Sequence, residues 1–524
     1  MTNPTQQILI NGQWQSSSQS AVFSPINPTI GQSITIEFPV SQWSDCDEAL
    51  SAAANAFIKL RAMNPDAIAL FLERYASLIE ADREGLVEIA HQESGLPKSP
   101  RLADVELPRT INQLKLAASA ARQQSWSMPT IDTKANIRSC YQAIGPVCVF
   151  GPNNFPFAFN SIAGGDFAAA IAAGNPVIAK ANSSHPATTM RFALLADKAA
   201  RETGMPSGIV QLIYRTSHAD GERLVSDPRL AAIGYTGSRS AGLQLKSVAD
   251  RVGKPFYAEL SSVNPVVFLP GALRERLDKL IEEYVTSGLM GAGQFCTNPG
   301  MLLFIDGLDT TKFVDGVTAK YQASNAGTLL SRSVETSLVK SISILKDAGA
   351  ELLAGGSKVE GSRCAVANTV LKITGKQFQF DPHAFQTEAF GNAVLIVVCS
   401  DMTELANAIE HIEGNLTGSI YSDSQGSDDV NYDLIAASLT QRVGRILNDK
   451  MPTGVAVSAA MNHGGPFPAT GHPGFTAVGI PASLIRFAKL TCFDNVREGR
   501  IPVVLRNKNP SGAWRLVDGN WSNG

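Results

Sequence analysis

The sequence predicts an α/β fold carried on parallel sheets, and three observations point to it. From Val147 onward, short apolar runs stop at turn residues and give way to helical periodicity. That cycle repeats several times, as it does when strands running the same way are joined through helices. A chain of 524 residues, 44% of them hydrophobic and with 44 glycines, is also large enough for several packed layers in more than one lobe.

The elements follow in chain order. Ile8-Leu9-Ile10-Asn11-Gly12-Gln13-Trp14 sets an Asn-Gly pair between β-prone runs, a strong hairpin signal. A helix is expected from Ser44-Asp45-Cys46-Asp47, with a serine cap, acids in the first turn and apolar residues at Leu50, Ala53, Phe57 and Leu60. Helical periodicity continues over residues 66–123. Val147-Cys148-Val149-Phe150 reads as a buried strand ended by Gly151-Pro152, and an alanine-rich helix follows from Ala163. Pro176-Val177-Ile178-Ala179 is the next strand, leading into a helix start at Ser183-Ser184-His185-Pro186. Ile209-Val210-Gln211-Leu212-Ile213 and Ala231-Ala232-Ile233-Gly234-Tyr235 extend the same sheet. A second alternating set spans residues 265–450, with Val266-Val267-Phe268 and Ala393-Val394-Leu395-Ile396-Val397-Val398 as its clearest strands. The tail after Arg500 reads as irregular, packing on another lobe or on a neighbouring subunit. Ligands of such sheets sit beyond the carboxyl ends of the strands.

Composition narrows the classes of partner. The net charge of -3 and a pI near 6.2 leave no basic stripe for nucleic acid and no polybasic tail for a membrane surface. No apolar run reaches the length needed to span a bilayer, and Met1-Thr2-Asn3-Pro4-Thr5-Gln6-Gln7 lacks a basic region before an apolar stretch, so a cytoplasmic protein is expected. The seven cysteines, at 46, 140, 148, 296, 364, 399 and 492, show neither CxxC nor Cys/His ligand spacing. Neither a disulfide scaffold nor a metal site is therefore expected. Small-molecule chemistry is what remains.

Gly293-Gln294-Phe295-Cys296-Thr297 holds the candidate nucleophile, because glycines at 291, 293 and 300 and Pro299 suit access better than packing. A reactive cysteine needs access and a stabilised thiolate, whereas a buried structural one is inert. Alone, the stretch also reads as a turn that happens to hold a cysteine. Neither a Walker loop nor a GxGxxG fingerprint follows any strand. The phosphate-binding candidate is Thr236-Gly237-Ser238-Arg239-Ser240-Ala241-Gly242, directly after a strand, where glycines admit close backbone approach and a helix amino terminus favours anions. Lys180, at the end of its strand, is a second candidate. Alone, the first is also an ordinary strand-to-helix turn and the second a solvated lysine.

Taken together, six stretches in this order resemble the aldehyde dehydrogenase superfamily over nearly the whole chain. Gly151-Pro152-Asn153-Asn154-Phe155-Pro156 resembles its loop with an oxyanion-hole asparagine, and Lys180 with Ser183 and Pro186 its adenosine-ribose site. Gly237-Ser238 through Gly242 resembles its nucleotide turn, and Glu259-Leu260 ahead of Asn264-Pro265 its general-base segment. Residues 293–297 resemble its nucleophile loop, and Glu388 with Phe390-Gly391 its nicotinamide-ribose contact. Asn462-His463-Gly464-Gly465-Pro466-Phe467-Pro468-Ala469-Thr470, Thr476-Ala477-Val478-Gly479, Leu96-Pro97, Arg101-Leu102, Arg109-Thr110 and Gln113-Leu114 are similar to the NADP-dependent branch. That branch holds 2-oxoglutarate semialdehyde dehydrogenases and a bacterial fatty aldehyde dehydrogenase. Three positions depart from the pattern: Ser261-Ser262 replaces a commoner glycine-containing pair, Thr387 a glutamate and Asn392 a proline.

The resemblance implies a Rossmann-type cofactor domain over residues 1–132 and 148–256, and an α/β catalytic domain over 257–455. It also implies a small β oligomerisation arm with a carboxyl-terminal segment, over 133–147 and 480–524, in a homodimer or homotetramer. It implies oxidation of an aldehyde to an acid. Cys296 would add to the carbonyl, Asn154 and the Cys296 N–H would hold the oxyanion, and Glu259 would activate the water that hydrolyses the thioester. No acid stands between Lys180 and Ala196 to repel a 2′-phosphate, so NADP is the expected cofactor, with NAD also usable. The branch favours 2-oxoglutarate semialdehyde as substrate, with Arg109, Gln113 and Phe159 as pocket residues and a long-chain aldehyde as the alternative. A catalytically silent relative serving as a binding protein, and a CoA-acylating enzyme, are the competing readings. Glu259 counts against the latter, which needs no water-activating base.

Overall fold

The computed structural model describes residues 5–18 and 21–524. Its first sheet has seven strands, in the order Phe256–Glu259, Ala232–Thr236, Val147–Phe150, Val177–Lys180, Val210–Ile213, Ile8–Ile10, Gln13–Gln15. The five strands between residues 147 and 259 are parallel, as the alternation of apolar runs and helices requires. The chain lays strands to one side of Val147–Phe150 and then returns to lay two on its other side. That reversal opens a crevice at the carboxyl ends, where ligands of such sheets bind. The hairpin at Asn11-Gly12 adds an antiparallel edge, with both residues in the left-handed region at φ 51° and 70°.

The second sheet, also of seven strands, runs Glu351–Ala354, Thr369–Thr374, Ala393–Cys399, Met301–Ile305, Pro265–Phe268, Asn415–Tyr421, Val443–Asn448, and only Glu351–Ala354 is antiparallel to its neighbour. One apolar core unites the lobes, taking in Val147 and Leu212 from the first sheet and Val267 and Leu395 from the second. The helix Gly165–Ala172 is buried at every residue, and its small side chains let it lie close to the sheet. Arg486 Nη1 forms an ion pair with Asp166 Oδ1 at 2.8 Å and ties the carboxyl-terminal part of the chain to that helix. Breaking such a buried pair from one side costs about 3–5 kcal/mol.

Three details differ from the sequence reading. The first long helix spans Trp43–Leu60 rather than starting behind a Ser44 cap. Asp45 caps it, accepting the Gln42 N–H at 3.0 Å, so the acid outcompetes the serine for the terminal donor. The tail after Arg500 is not irregular throughout: Arg515–Val517 and Asn520–Ser522 pair in a five-stranded sheet with Ala488–Asp494, Ile137–Ala143 and Thr130–Asp132. Thr130–Asp132 lies on that third sheet although the expected boundary put it in the cofactor lobe, because it forms a hairpin with Ile137–Ala143 and pairs on its other side with Arg515–Val517 from the far end of the chain.

Candidate active site

Cys296 follows three residues in left-handed backbone, Gly291 and Ala292 at φ 56° and Gly293 at φ 68°. A Cβ on Gly293 would stand 2.1 Å from the Gly391 carbonyl oxygen, so only glycine lets the nucleophile loop press on the segment that bears Glu388. Asn264, itself at φ 48°, donates Nδ2 to the carbonyls of Cys296 and Asn298, each at 2.9 Å. Asn415 Oδ1 accepts the N–H groups of Val263 and Asn264 at 2.8 and 3.0 Å, which fixes Asn264 in turn. Ser262, one of the departures from the family pattern, belongs to this web: its hydroxyl reaches Asn264 at 2.8 Å and Asn415 at 3.0 Å. Its N–H donates to Glu388 Oε1 at 3.3 Å.

The Cys296 sulfur lies 3.3 Å from His463 Nε2, and the same nitrogen lies 3.2 Å from Glu259 Oε1. Glu259 and His463 are each only 1% exposed. Glu259 ends its strand, where Leu260 donates its N–H to the Ala469 carbonyl at 2.8 Å, and this contact delivers the 463–470 segment to the nucleophile. Burial, then the carboxylates of Glu259 and Glu388, push the Cys296 thiol well above its ordinary range, with Arg109 pulling the other way. Burial likewise raises the Glu388 carboxyl to about 7 against the Ser262 N–H and the Ser261 hydroxyl.

Asn154 donates Nδ2 to the Gln294 carbonyl at 3.0 Å, which holds its amide beside the nucleophile loop. Its own carbonyl accepts from Arg101 Nη2 at 3.1 Å, and Arg101 pairs with Glu106 at 2.6 Å. The other Glu106 oxygen accepts the N–H groups of Phe157 and Ala158 at 2.8 and 3.0 Å, so one buried carboxylate braces the whole loop. Among the described residues the Cys296 N–H has no acceptor. The second Asn154 amide hydrogen and that N–H are the donors available to a developing oxyanion.

Arg109 and Gln113 sit one turn apart on the helix Leu107–Gln123. The Arg109 guanidinium lies 5.1 Å from the centre of the Phe159 ring, and Phe159 lies 5.7 Å from the His463 ring. Arg109 Nε and Nη2 and Gln113 Oε1 are buried without hydrogen-bond partners. Burial lowers the Arg109 pKa, while Glu106, Cys296 and Glu259 oppose that shift. Arg109, Gln113 and Phe159, the three candidate pocket residues, thus stand together near Cys296 and His463.

The cofactor candidates divide. Lys180, Ser183, Gly237 and Ser238 line one cavity of about 410 Å³ at the strand ends, with Arg215 and Glu222. Ser238 immediately precedes the helix Arg239–Arg251, whose amino terminus faces the cavity. Gly242 does not line it: a Cβ there would meet Leu260 at 2.4 Å and Tyr235 at 2.8 Å, so this glycine serves helix-to-strand packing. His185 turns inward, with Nε2 2.8 Å from the Pro152 carbonyl. Glu388 and Phe390 line a separate narrow cavity with Ser262 and Phe295, on the nucleophile side.

The aldehyde dehydrogenase family model matches residues 14–454. The chain belongs to the aldehyde dehydrogenase family. It is 37% identical over 505 residues to alpha-ketoglutaric semialdehyde dehydrogenase 2 of Azospirillum brasilense, covering 94% of this chain and 95% of that protein. It is 35% identical over 522 residues to alpha-ketoglutaric semialdehyde dehydrogenase of Acinetobacter baylyi, covering 97% of each. Among solved structures, a 1-pyrroline-5-carboxylate dehydrogenase superposes with a TM-score of 0.81 at 21% identity, over 94% of this chain and 93% of that one. An aldehyde dehydrogenase from Bacillus cereus in its NAD+ complex gives 0.81 at 20% identity, over 94% and 96%. These two likenesses speak for the fold.

Against this family background, three residues were missed by sequence reasoning. His463 stood out only as part of a carboxyl-terminal motif, and nothing in its spacing from Cys296 signals contact across 167 positions. Arg215 had a usable signal, since it lies just past the strand Val210–Ile213 at the carboxyl end where ligands bind. Arg445 carries the third: Nη2 and Nη1 hold the carbonyls of Pro452 and Gly454 at 2.7 and 3.2 Å, and the Gly454 N–H reaches Thr297 Oγ1 at 3.2 Å, beside the nucleophile.

Proposed function

We propose that the protein oxidises 2-oxoglutarate semialdehyde (2,5-dioxopentanoate) to 2-oxoglutarate with NADP, Cys296 serving as nucleophile and Glu259 as the base for hydrolysis. The observation that carries the substrate is Arg109, a buried cation with two unpartnered nitrogens beside the reactive thiol. A far carboxylate satisfies those donors, whereas an alkyl chain leaves them desolvated and unpaired, at a cost of about 1–3 kcal/mol or more. Gln113 adds an amide at the same end, and Phe159 supplies an apolar wall for the intervening methylenes. The activity in the names of the Azospirillum and Acinetobacter relatives supports the same substrate.

Deprotonation of a thiol held above its ordinary range needs a nearby acceptor, and His463 Nε2 stands at 3.3 Å with Glu259 beyond it. The thiolate then adds to the aldehyde carbon, and charge on the former carbonyl oxygen meets the Asn154 amide and the Cys296 N–H. The nicotinamide cofactor, when bound, supplies the hydride acceptor. The thiol proton passes from His463 Nε2 to Glu259 and on to solvent, so Glu259 is again a carboxylate when it takes a proton from the water that attacks the thioester, and the acid leaves with the Cys296 thiolate regenerated.

The cavity at the strand ends fits a 2′-phosphorylated dinucleotide. Arg215 is exposed and Lys180 half-buried, both cationic; burial lowers the Lys180 pKa, and nearby Arg215 adds to that shift. The one carboxylate in the lining, Glu222, accepts from Gln244 Nε2 at 2.7 Å. Ser183 and the turn at Gly237-Ser238 complete the proposed adenosine side, and Glu388 and Phe390 the proposed nicotinamide side. The test is a comparison of catalytic efficiency on 2,5-dioxopentanoate, succinate semialdehyde and decanal with both cofactors. The semialdehyde with NADP is expected to lead. Preference for decanal sinks the substrate, and a tenfold preference for NAD, about 1.4 kcal/mol, sinks the cofactor.

A cytoplasmic homodimer or homotetramer remains part of the proposal. Among the described residues no helix is long and apolar enough to cross a membrane. Leu490 and Trp521 stand 60% and 56% exposed on the third sheet, as an arm that pairs with another copy requires.

A further inference from the structure

Glu259, Cys296 and His463 carry a carboxylate, a thiol and an imidazole, and one ligand atom from each lies within 4.8 Å of the other two. The separations Sγ to Nε2 and Nε2 to Oε1 are 3.3 and 3.2 Å. Around a tetrahedral zinc ion, with bonds of about 2.3 Å to sulfur and about 2.0–2.1 Å to nitrogen and oxygen, ligand atoms stand roughly 3.3–3.6 Å apart. A small rotation of the Glu259 side chain closes the third edge. A second observation points to a ligand: among the described residues both buried Glu259 oxygens meet no hydrogen-bond donor in good geometry.

We propose that these three side chains form a reversible inhibitory site for a borderline-soft divalent cation of the zinc class, with water as the fourth ligand. A mixed thiolate, imidazole and carboxylate set suits zinc over magnesium or calcium, which prefer oxygen. On binding, the Cys296 S–H bond breaks, its proton passes to solvent and a sulfur–metal bond forms. His463 gives its Nε2 lone pair and Glu259 one oxygen. One dication enters, one proton leaves and no electron is transferred. The sulfur lone pair is then engaged, so addition to an aldehyde stops, and Glu259 is withdrawn from water.

The surroundings make this a reversible site rather than a resident one. Outer-shell partners on a ligating histidine are typically worth about 10–100-fold in affinity, and His463 Nδ1 has none. Arg109 and Arg445 also bring positive charge to bear on Cys296. The inference goes beyond the proposed reaction and holds whatever the aldehyde.

The test is anaerobic titration of the chelator-washed full-length protein with Co2+ as spectroscopic probe, followed by Zn2+. A thiolate-to-cobalt charge-transfer absorption saturating at one equivalent per chain is expected. It should vanish in Cys296→Ala and need at least tenfold more metal in His463→Gln and in Glu259→Gln, with folding of each checked by its thermal melt. Zn2+ should displace the cobalt signal and block turnover competitively with aldehyde, and chelator should restore activity. The proposal is overturned by an absent charge-transfer band, by a band of full strength in Cys296→Ala, or by unchanged affinity in both ligand variants. Cobalt binding needs no aldehyde, so a band that stays intact in a protein inactive on every aldehyde sinks the proposed reaction and leaves the metal site standing.

Discussion

The nucleotide cavity and the nucleophile chamber sit on the same scaffold but are assembled in opposite ways. The cavity draws its lining from residues 150–245, at the ends of neighbouring parallel strands, and of its cations Arg215 is exposed and Lys180 half-buried. The chamber gathers Arg109, Asn154, Glu259, Cys296, Arg445 and His463 from across the chain and buries most of their polar atoms. A binding cavity of the first kind follows from strand-turn-helix order alone. A reactive chamber of the second kind exists only once the lobes have closed, because burial is what makes each charge count.

The contrast predicts that substitutions in the chamber cost far more than those in the cavity. The largest effect is expected for Cys296→Ala, with aldehyde-dependent NADPH formation down by at least about 1,000-fold and cofactor affinity retained, read by steady-state kinetics and cofactor titration. Unchanged turnover would remove Cys296 from its role. The thiol stands above its ordinary range through burial and the Glu259 and Glu388 carboxylates, so the wild-type rate should climb as pH rises and more thiolate forms. Glu388→Gln deletes one of those charges, and its pH–rate curve should move to lower pH. A shift to higher pH contradicts the assigned coupling.

Glu259→Gln comes next. Multiple turnovers should slow by about 100-fold or more while a first burst of one NADPH per chain survives, since only hydrolysis loses its base. Stopped-flow traces without a burst place the loss before hydrolysis instead. Arg109→Leu should then raise KM for 2,5-dioxopentanoate by roughly 30-fold, about 2 kcal/mol, while leaving or improving activity on decanal. Equal losses on both aldehydes make Arg109 structural.

The cavity should respond more mildly. Arg215→Ala is expected to lower the NADP-over-NAD ratio of efficiencies by about tenfold, as befits an exposed phosphate contact. Gly242→Ala sharpens the distinction within the nucleotide turn itself. The added methyl collides with Leu260 and Tyr235, so stability should fall by about 1–3 kcal/mol in a denaturant melt, with KM for NADP little changed. A large rise in that KM with normal stability returns Gly242 to the cofactor.

How much was legible follows the same division. The strand at Val147–Phe150, the helix after Pro186 and the turn at Gly237-Ser238 are local statements, written in apolar period and turn chemistry. The strand Thr130–Asp132 and the cap at Asp45 were misread, since one belongs with its hairpin neighbour Ile137–Ala143 to a sheet completed from the far end of the chain and the other turned on which nearby side chain reaches a free N–H first. Ser262 looked like a departure from pattern and is in fact a strut between Asn264, Asn415 and Glu388.

By itself, the amino-acid sequence determined an α/β fold and the family, and it singled out Cys296, Glu259 and Asn154 as candidates for nucleophile, base and oxyanion donor, because each rests on a short motif whose chemistry is carried by neighbours. The tertiary structure alone decided that His463 meets Cys296 and Glu259, that Gly242 packs against Leu260 and Tyr235 off the cavity lining, and that among the described residues Arg109 Nε and Nη2 have no partner beside the thiol. Those facts depend on distances of a few ångströms between segments separated by tens to hundreds of residues, and chain spacing carries no record of them.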